Sequence, residues 1–327
     1  MERIELTTDE SRTVAELVHR VHEEYDGWDA HELVGRCEVE AEALPQRLRR
    51  FLVTVRSHEA ELAVVSGLPL SGDLAPTPSG WDAAAKTGAG TVEEVLLLIC
   101  SAALAQPFGW SSQQDGRMVH DVCPSRGMEK SLTSASSSVP LSLHTEDVFH
   151  DCRADYVALF CLRNPHDVAT ELTRISRVDV PPELRVVLSE DRFRFYPDDS
   201  HLGKVLIVEE DRGALAKRQF TTGSVLFGPA ERPYLRFDVD FMAAEREGDR
   251  LAEEAITAMQ ELLASSVEKV VLKPGDLGFI DNHQGVHGRS PFTANFDGTD
   301  RWLKRVNLTR DIRRVYTVNR SRSRVLG

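Results

Sequence analysis

The chain has 327 residues, and 52 Asp and Glu outnumber 39 Lys and Arg to leave a net charge of −13, which argues against a nucleic-acid surface, whose phosphates need basic partners. At 41% hydrophobic and 28% charged residues it is too apolar to stay disordered. Its most apolar stretch, Val95 to Ala105, is eleven residues long and carries Ser101, well short of the roughly 20 residues that a membrane-spanning helix needs.

The opening MERIELTTDESRT has no basic segment followed by an apolar run, so no secretory signal is read and the cytoplasm is the expected location. Cys37, Cys100, Cys123, Cys152 and Cys161 contain no Cys-x-x-Cys pair and read as buried reduced thiols. The first hundred residues read as helical. Thr7, Thr8 and Asp9 offer caps, and Val14, Leu17, Val18 and Val21 then recur at helical spacing. A second helix is expected over Leu44 to Ser57, a Pro/Gly-rich surface connection over Leu70 to Gly90, and a buried helix over Val92 to Leu104. From about residue 115 short β-rich runs take over: Val139–Leu143, Tyr156–Leu162, Val205–Val208, Tyr234–Phe241, Lys269–Leu272, Leu277–Asp281 and Trp302–Leu308. Such spacing suggests a sandwich or barrel. A helix over Ala243 to Leu263 interrupts the strands, no internal repeat is found, and the Arg-rich tail from Arg310 to Arg324 is expected to be solvated.

Chemistry enters at SLHTEDVFH. On an extended chain residues i and i+2 share a face, so His144 and Glu146 can chelate one ion. A helix containing His144, Glu146 and His150 would point the first two to different faces, and Pro140 with its β-branched neighbour favours a strand. Far downstream, after the turn at Pro274-Gly275-Asp276, a strand leads to His283 and His287. Either can complete a two-His, one-carboxylate face with open positions, the usual signature of non-haem Fe(II) oxygenases. Arg301 and Arg305 then follow on one strand face with Leu303. An arginine aimed at an iron site suits a dicarboxylate such as 2-oxoglutarate, whereas a surface pair with Asp297 or Asp300 is the plainer alternative. Asp238 and Asp240 would sit on one strand face roughly 7 Å apart. Two acids so close repel unless a cation lies between them, and a guanidinium suits that bracket better than an ammonium; solvent-facing strand acids are the competing reading.

Together GWSSQQDGR, SLHTEDVFH, YLRFDVDFM, and GVHGRS with RWLKRVNLTRD resemble the clavaminate synthase-like branch of Fe(II)/2-oxoglutarate oxygenases, in which glutamate stands where the wider superfamily usually has aspartate. The likeness covers roughly residues 105 to 310 and is greatest to free L-arginine hydroxylases of peptide-antibiotic pathways. It implies a single α+β oxygenase domain, with a double-stranded β-helix (jelly-roll, cupin-like) core over 106–312 and flanking helices. A mainly helical support region would span 1–105, a lid about 195–220, and a basic tail 313–327.

The resemblance further implies iron on His144, Glu146 and His287, with His283 left out, and 2-oxoglutarate paired with Arg301 and touched by Thr170. Gln113 and Glu146 would receive the substrate's α-amino group, with Gln114 competing for the first role. Ser134 and Arg305 would take its carboxylate, and Asp238 and Asp240 its guanidinium. The lid stretch contains Pro197, Asp198, Asp199, Gly203 and Gly213, with Asp198 a closing contact. The implied reaction is hydroxylation of free L-arginine, at C3 by preference, using Fe(II), 2-oxoglutarate and O2 and releasing succinate and CO2. A small amino acid is the expected partner, with no nucleic acid or membrane. The alternatives are C4 hydroxylation, desaturation, or lysine, asparagine or a cyclic arginine derivative as substrate. A zinc hydrolase and a non-catalytic cupin-like binding protein are readings of a different class.

Overall fold

The computed structural model describes residues 1–28, 30–201 and 218–327. Strand β1 (Glu2–Glu5) leads into α1 (Thr8–Glu24), capped reciprocally by Thr7 and Glu10, with Val14, Leu17, Val18 and Val21 buried along one stripe. There follow α2 (Ala30–Glu40), α3 (Gln46–Ser57), β2 (Leu62–Ser66), α4 (Trp81–Thr87) and α5 (Thr91–Ala102). Pro45 sets the start of α3, two residues later than expected. Helix α4 falls inside the segment read as a connection, and α2 lies in the stretch read broadly as helical without bounds of its own. Its buried stripe is only Leu33, Val34 and Cys37, and Gly35 interrupts it.

The β-rich part continues with β3 (Gln106–Trp110), β4 (His120–Val122), β5 (Leu141–His144), β6 (Tyr156–Arg163), β7 (Thr170–Arg174), α6 (Pro182–Leu188) and β8 (Phe193–Phe195). Then come β9 (Thr221–Gly223), β10 (Leu226–Phe227), β11 (Tyr234–Leu235), β12 (Met242–Ala244), α7 (Arg250–Ser265) and β13 (Glu268–Val270). The last elements are β14 (Leu277–Asp281), β15 (Gly285–Arg289), β16 (Trp302–Thr309), α8 (Arg313–Asn319) and β17 (Val325–Leu326). An eight-stranded sheet runs β1-β2-β14-β6-β16-β3-β17, with β4 also pairing to β16, and a four-stranded sheet runs β13-β7-β15-β5.

The period-2 alternation of β6 explains the layering. Ala158, Phe160 and Leu162 bury among α1, α2, α3 and α5, whereas Val157, Leu159 and Cys161 bury with Leu172 and Leu272 on the side of the smaller sheet. Strand β16 divides likewise: Trp302, Val306 and Leu308 join the helical core, and Leu303 joins the core between the sheets. Lys304, on the helical side, is wholly buried and lies 2.7 Å from both Glu94 of α5 and Asp121 of β4.

Three expectations need correction. The strand over Tyr234–Phe241 is only β11 plus one isolated bridge from Asp238 to His144. Asp238 turns the chain instead, its carboxylate accepting the Asp240 N–H at 3.0 Å and its carbonyl the Phe241 N–H at 3.2 Å. The helix placed over Ala243–Leu263 starts at Arg250, because Asp249 caps it by accepting from Ala252 N–H, and Met242–Ala244 pair with β8 instead. The tail is docked rather than free, although Arg310, Arg313, Arg320 and Arg322 are exposed as expected: Ile312, Val315 and Leu326 bury with Phe108 and Trp110, and β17 pairs in parallel with β3. Val205–Val208, Gly203 and Gly213 lie outside the described residues. Among the described residues no helix is long and apolar enough to cross a membrane.

Candidate metal centre and its cavity

Antiparallel pairing of β5 with β15 places His144 directly opposite His287. Glu146 follows just beyond β5, where Asn282 clamps its backbone: Asn282 Oδ1 accepts the Glu146 N–H at 2.7 Å, and Nδ2 donates to the Glu146 and Ala154 carbonyls at 3.1 and 3.0 Å. Glu146 Oε1 lies 3.7 Å from His144 Nε2 and 3.4 Å from His287 Nε2. One ligand atom from each of the three residues falls within 4.8 Å of the others, and all three side chains are buried or nearly so. The residues either side of β15 and β5 that sequence placed at one ion are thus brought together.

His283 is elsewhere. Its Nε2 bonds Asp155 Oδ1 at 3.0 Å and its Nδ1 lies 3.0 Å from an Arg153 terminal nitrogen, so both ring nitrogens are engaged. His150 accepts from Cys152 N–H at 2.9 Å and packs edge-on against Trp110.

The electrostatics of the triad suit a divalent cation. His144 Nδ1 donates to the Ser142 carbonyl at 2.8 Å, which leaves Nε2 bare in the neutral ring and fixes its direction. Burial opposes charge on His144, but the neighbouring Glu146 and Asp238 carboxylates raise its pKa to about 9. Burial and the adjacent His144 charge lower that of His287. Burial acts to raise Glu146, yet Arg305 and the two imidazoles hold it well below the usual carboxylate range. The pair of imidazoles and a firmly ionised carboxylate therefore attract one extra positive charge, which a metal supplies in place of a proton.

The cavity beside the triad contains two sets of unmatched charge. Arg289, Arg301 and Thr170 are among its lining residues. Among the described residues Arg289 donates only to neutral oxygens, those of Ser136, Ser137 and Val139. Arg301 is 6% exposed, and its Nε has no partner among the described residues. Burial pulls both guanidiniums down to about 10, and the charge of Arg301 adds to the effect on Arg289. Two close cations without a carboxylate call for an anionic ligand. Asp198, Asp238 and Asp240 also line the cavity, and none pairs with an Arg or Lys among the described residues. Burial lifts Asp238 to about 8 against the pull of His144, and Asp240 and Asp198 reinforce it.

The two acids that sequence put on a strand face thus reach one cavity through a turn. Ser134 and Arg305 line it as well. Gln113 is not among its lining residues; its Oε1 accepts from Arg305 at 3.5 Å and its Nε2 donates to Ser200 at 2.7 Å. Gln114 is turned to the Asp121 backbone, with which it makes two hydrogen bonds of 3.0 Å. Asn282, Arg289, His120 and Asp147 escaped the sequence reading. Asp147, next to Glu146, accepts from Trp110 Nε1, Asn307 Nδ2 and His201 Nε2 at 2.7, 3.1 and 2.9 Å. Arg289 had a signal, since it stands two residues after His287 on a strand, the same spacing that linked His144 to Glu146.

No family model matches the chain. An enduracididine beta-hydroxylase of Streptomyces hygroscopicus is 37% identical over 327 residues, covering 95% of each chain. An L-ornithine/L-arginine 3-hydroxylase of Catenulispora acidiphila is 37% identical over 329 residues, 96% of each. Clavaminate synthase 2 of Streptomyces clavuligerus is 30% identical over 290 residues, 86% of this chain and 85% of that one. The chain belongs to the clavaminate synthase-like Fe(II)/2-oxoglutarate oxygenases. A crystal structure of the non-heme iron oxygenase OrfP with Fe, succinate and (3S)-hydroxy-L-Arg superposes on this oxygenase with a TM-score of 0.90, at 36% identity and over the full length of both chains. The chain is an Fe(II)/2-oxoglutarate-dependent amino-acid hydroxylase, and His144, Glu146 and His287 form the cluster that would hold its iron. Its family sets aside the zinc-hydrolase and non-catalytic readings.

Proposed function

We propose that this oxygenase hydroxylates free L-arginine at C3, within a double-stranded β-helix formed by the two facing sheets. The observation that carries the reading is the trio of cavity carboxylates, Asp198, Asp238 and Asp240, which have no Arg or Lys partner among the described residues and line the same cavity as the iron ligands. A substrate guanidinium supplies several donors for such a trio. At its other end the amino acid offers a carboxylate to Arg305 and Ser134 and an ammonium to Glu146 and Gln113. Arg305 donates to the same Glu146 oxygen that faces both imidazoles, so the carboxylate end docks close to the metal and the first carbons of the side chain come nearest to it. The 3-hydroxylase and beta-hydroxylase names of the two relatives at 37% identity agree with C3.

Bound iron supplies the oxidising chemistry, coupling decarboxylation of 2-oxoglutarate to succinate and CO2 with insertion of one atom of O2 into a C–H bond. The protein's task is placement. Arg301, with Thr170 beside it, receives the distal carboxylate of 2-oxoglutarate, and the two charged ends of the pocket stretch the substrate between them, because a displacement of about 1 Å can cost a large factor in rate. A cyclic guanidino amino acid is a second reading, favoured by the enduracididine relative.

Incubation with iron, 2-oxoglutarate and O2 and a panel of L-arginine, enduracididine, L-ornithine, L-lysine and L-asparagine tests the assignment. L-Arginine is expected to raise succinate formation and to gain one oxygen, at C3 by NMR; no response to L-arginine or enduracididine would overturn it. Asp238→Ala and Asp240→Ala are expected to raise KM for arginine by about tenfold or more while substrate-free 2-oxoglutarate decay persists. Unchanged KM in both would return these residues to a structural role.

A further inference from the structure

The guanidinium of Arg305 is held from three sides. One terminal nitrogen donates to Glu146 Oε1 at 2.7 Å; the other donates to Gln113 Oε1 at 3.5 Å and lies 2.9 Å from His120 Nδ1. Its Nε is buried with no acceptor among the described residues. His120 on β4 is the register partner of Arg305 on β16 and is 4% exposed. The second ring nitrogen, Nε2, lies 3.0 Å from the Arg117 carbonyl oxygen.

Those contacts fix the tautomer. A guanidinium only donates and a carbonyl oxygen only accepts, so Nε2 must carry the hydrogen and Nδ1 must be bare. A cationic ring would set N–H against N–H. Burial, followed by the charge of Arg305, pulls the ring's pKa down to about 3, which keeps it neutral. The acceptor of the Nε2 hydrogen is itself anchored, since the Arg117 side chain pairs with Glu94 and Asp121, each at 2.7 Å, and Asp121 accepts from Trp302 Nε1 at 2.8 Å. A chain of short polar contacts thus runs from the helical layer through His120 to the cavity.

The geometry points to His120 as the positioning residue for Arg305: its bare Nδ1 holds one arm of the guanidinium away from Glu146 and keeps the group at the cavity wall, where the carboxylate of the amino acid would meet it. This rests on the reading of Arg305 as the group that receives that carboxylate. Without the His120 acceptor, the charged partner left to Arg305 is Glu146, and the fork turns toward the iron ligand and away from the substrate.

The test is the anaerobic Kd of the iron- and 2-oxoglutarate-loaded protein for L-arginine and for agmatine, the same cation without the carboxylate. His120→Leu is expected to weaken arginine binding by about tenfold or more and agmatine binding by less than about twofold. In His120→Asn the amide oxygen falls where Nδ1 stood, so arginine affinity is expected to return to within about threefold of the parent. Parental arginine affinity in His120→Leu overturns the inference, and so does an equal loss for both ligands, which marks a structural role. Arg305→Ala separates the two levels. If it leaves arginine binding intact, the carboxylate reading itself fails; if it weakens arginine alone while His120→Leu behaves as the parent, that reading stands and His120 falls. Should the leucine variant not fold, His120→Gln replaces it: its acceptor sits one atom farther out, at the Nε2 position, and equal arginine affinities in the Asn and Gln variants overturn the inference.

Discussion

His287→Ala is expected to abolish iron binding and to cut turnover by more than roughly a hundredfold, whereas His283→Ala keeps most of both. The two histidines sit four residues apart and only their surroundings separate them. His287 projects from β15 opposite His144 and within 3.4 Å of the Glu146 carboxylate. His283 spends one ring nitrogen on Asp155 and faces Arg153 with the other, so it has no lone pair to give. Its removal leaves Asp155 and Arg153 short of a buried partner, a stability cost of about 1–3 kcal/mol with the iron site intact. Iron content after anaerobic reconstitution, with 2-oxoglutarate turnover on the same samples, distinguishes the pair. Iron loss in His283→Ala and retention in His287→Ala would reverse the assignment.

Arg301→Ala is expected to weaken 2-oxoglutarate binding by roughly 30- to 100-fold, the worth of a charge-assisted pair in a desolvated site, with iron content unchanged. The same residue carries a stability signature. A buried guanidinium beside Arg289, with Nε unpaired among the described residues, is destabilising until an anion arrives. Arg301→Met is therefore expected to melt no lower than the parent without 2-oxoglutarate, and to lose most of the Tm increase that the cosubstrate gives the parent. Thermal melts with and without 2-oxoglutarate check both halves. A parental rise in Tm in the methionine variant would show that the distal carboxylate docks elsewhere.

The parts of the architecture that could be read from the sequence are those with a strong period. Strand β6 alternates between two cores, α1 has an unbroken apolar stripe and a capping box, and β16 presents Leu303 and Arg305 on the face opposite Trp302 and Lys304. The i, i+2 rule made His144 and Glu146 candidate ligands but could not single them out, and spacing left His283 and His287 equivalent; the family resemblance chose His287, and register and hydrogen bonding agree with that choice. Asp238 and Asp240 were read as strand residues, because a side chain that caps its own turn leaves no mark on a β-rich run. The tail misled for another reason. Its arginines suggested solvent, but Ile312, Val315 and Leu326 are the residues that decide, together with pairs such as Arg324 with Glu38 and Arg314 with Asp155. Asn282 and His120 act on the backbone or on another side chain at long sequence separation, and no local pattern announces that.

Iron-edge anomalous diffraction from crystals grown anaerobically with Fe(II), 2-oxoglutarate and L-arginine puts the account to its most direct trial. A single peak between His144 Nε2, Glu146 and His287 Nε2, with the guanidinium of the amino acid against Asp238 and Asp240, is the predicted result. A peak on other side chains, or an amino acid whose guanidinium lies away from both aspartates, would contradict it.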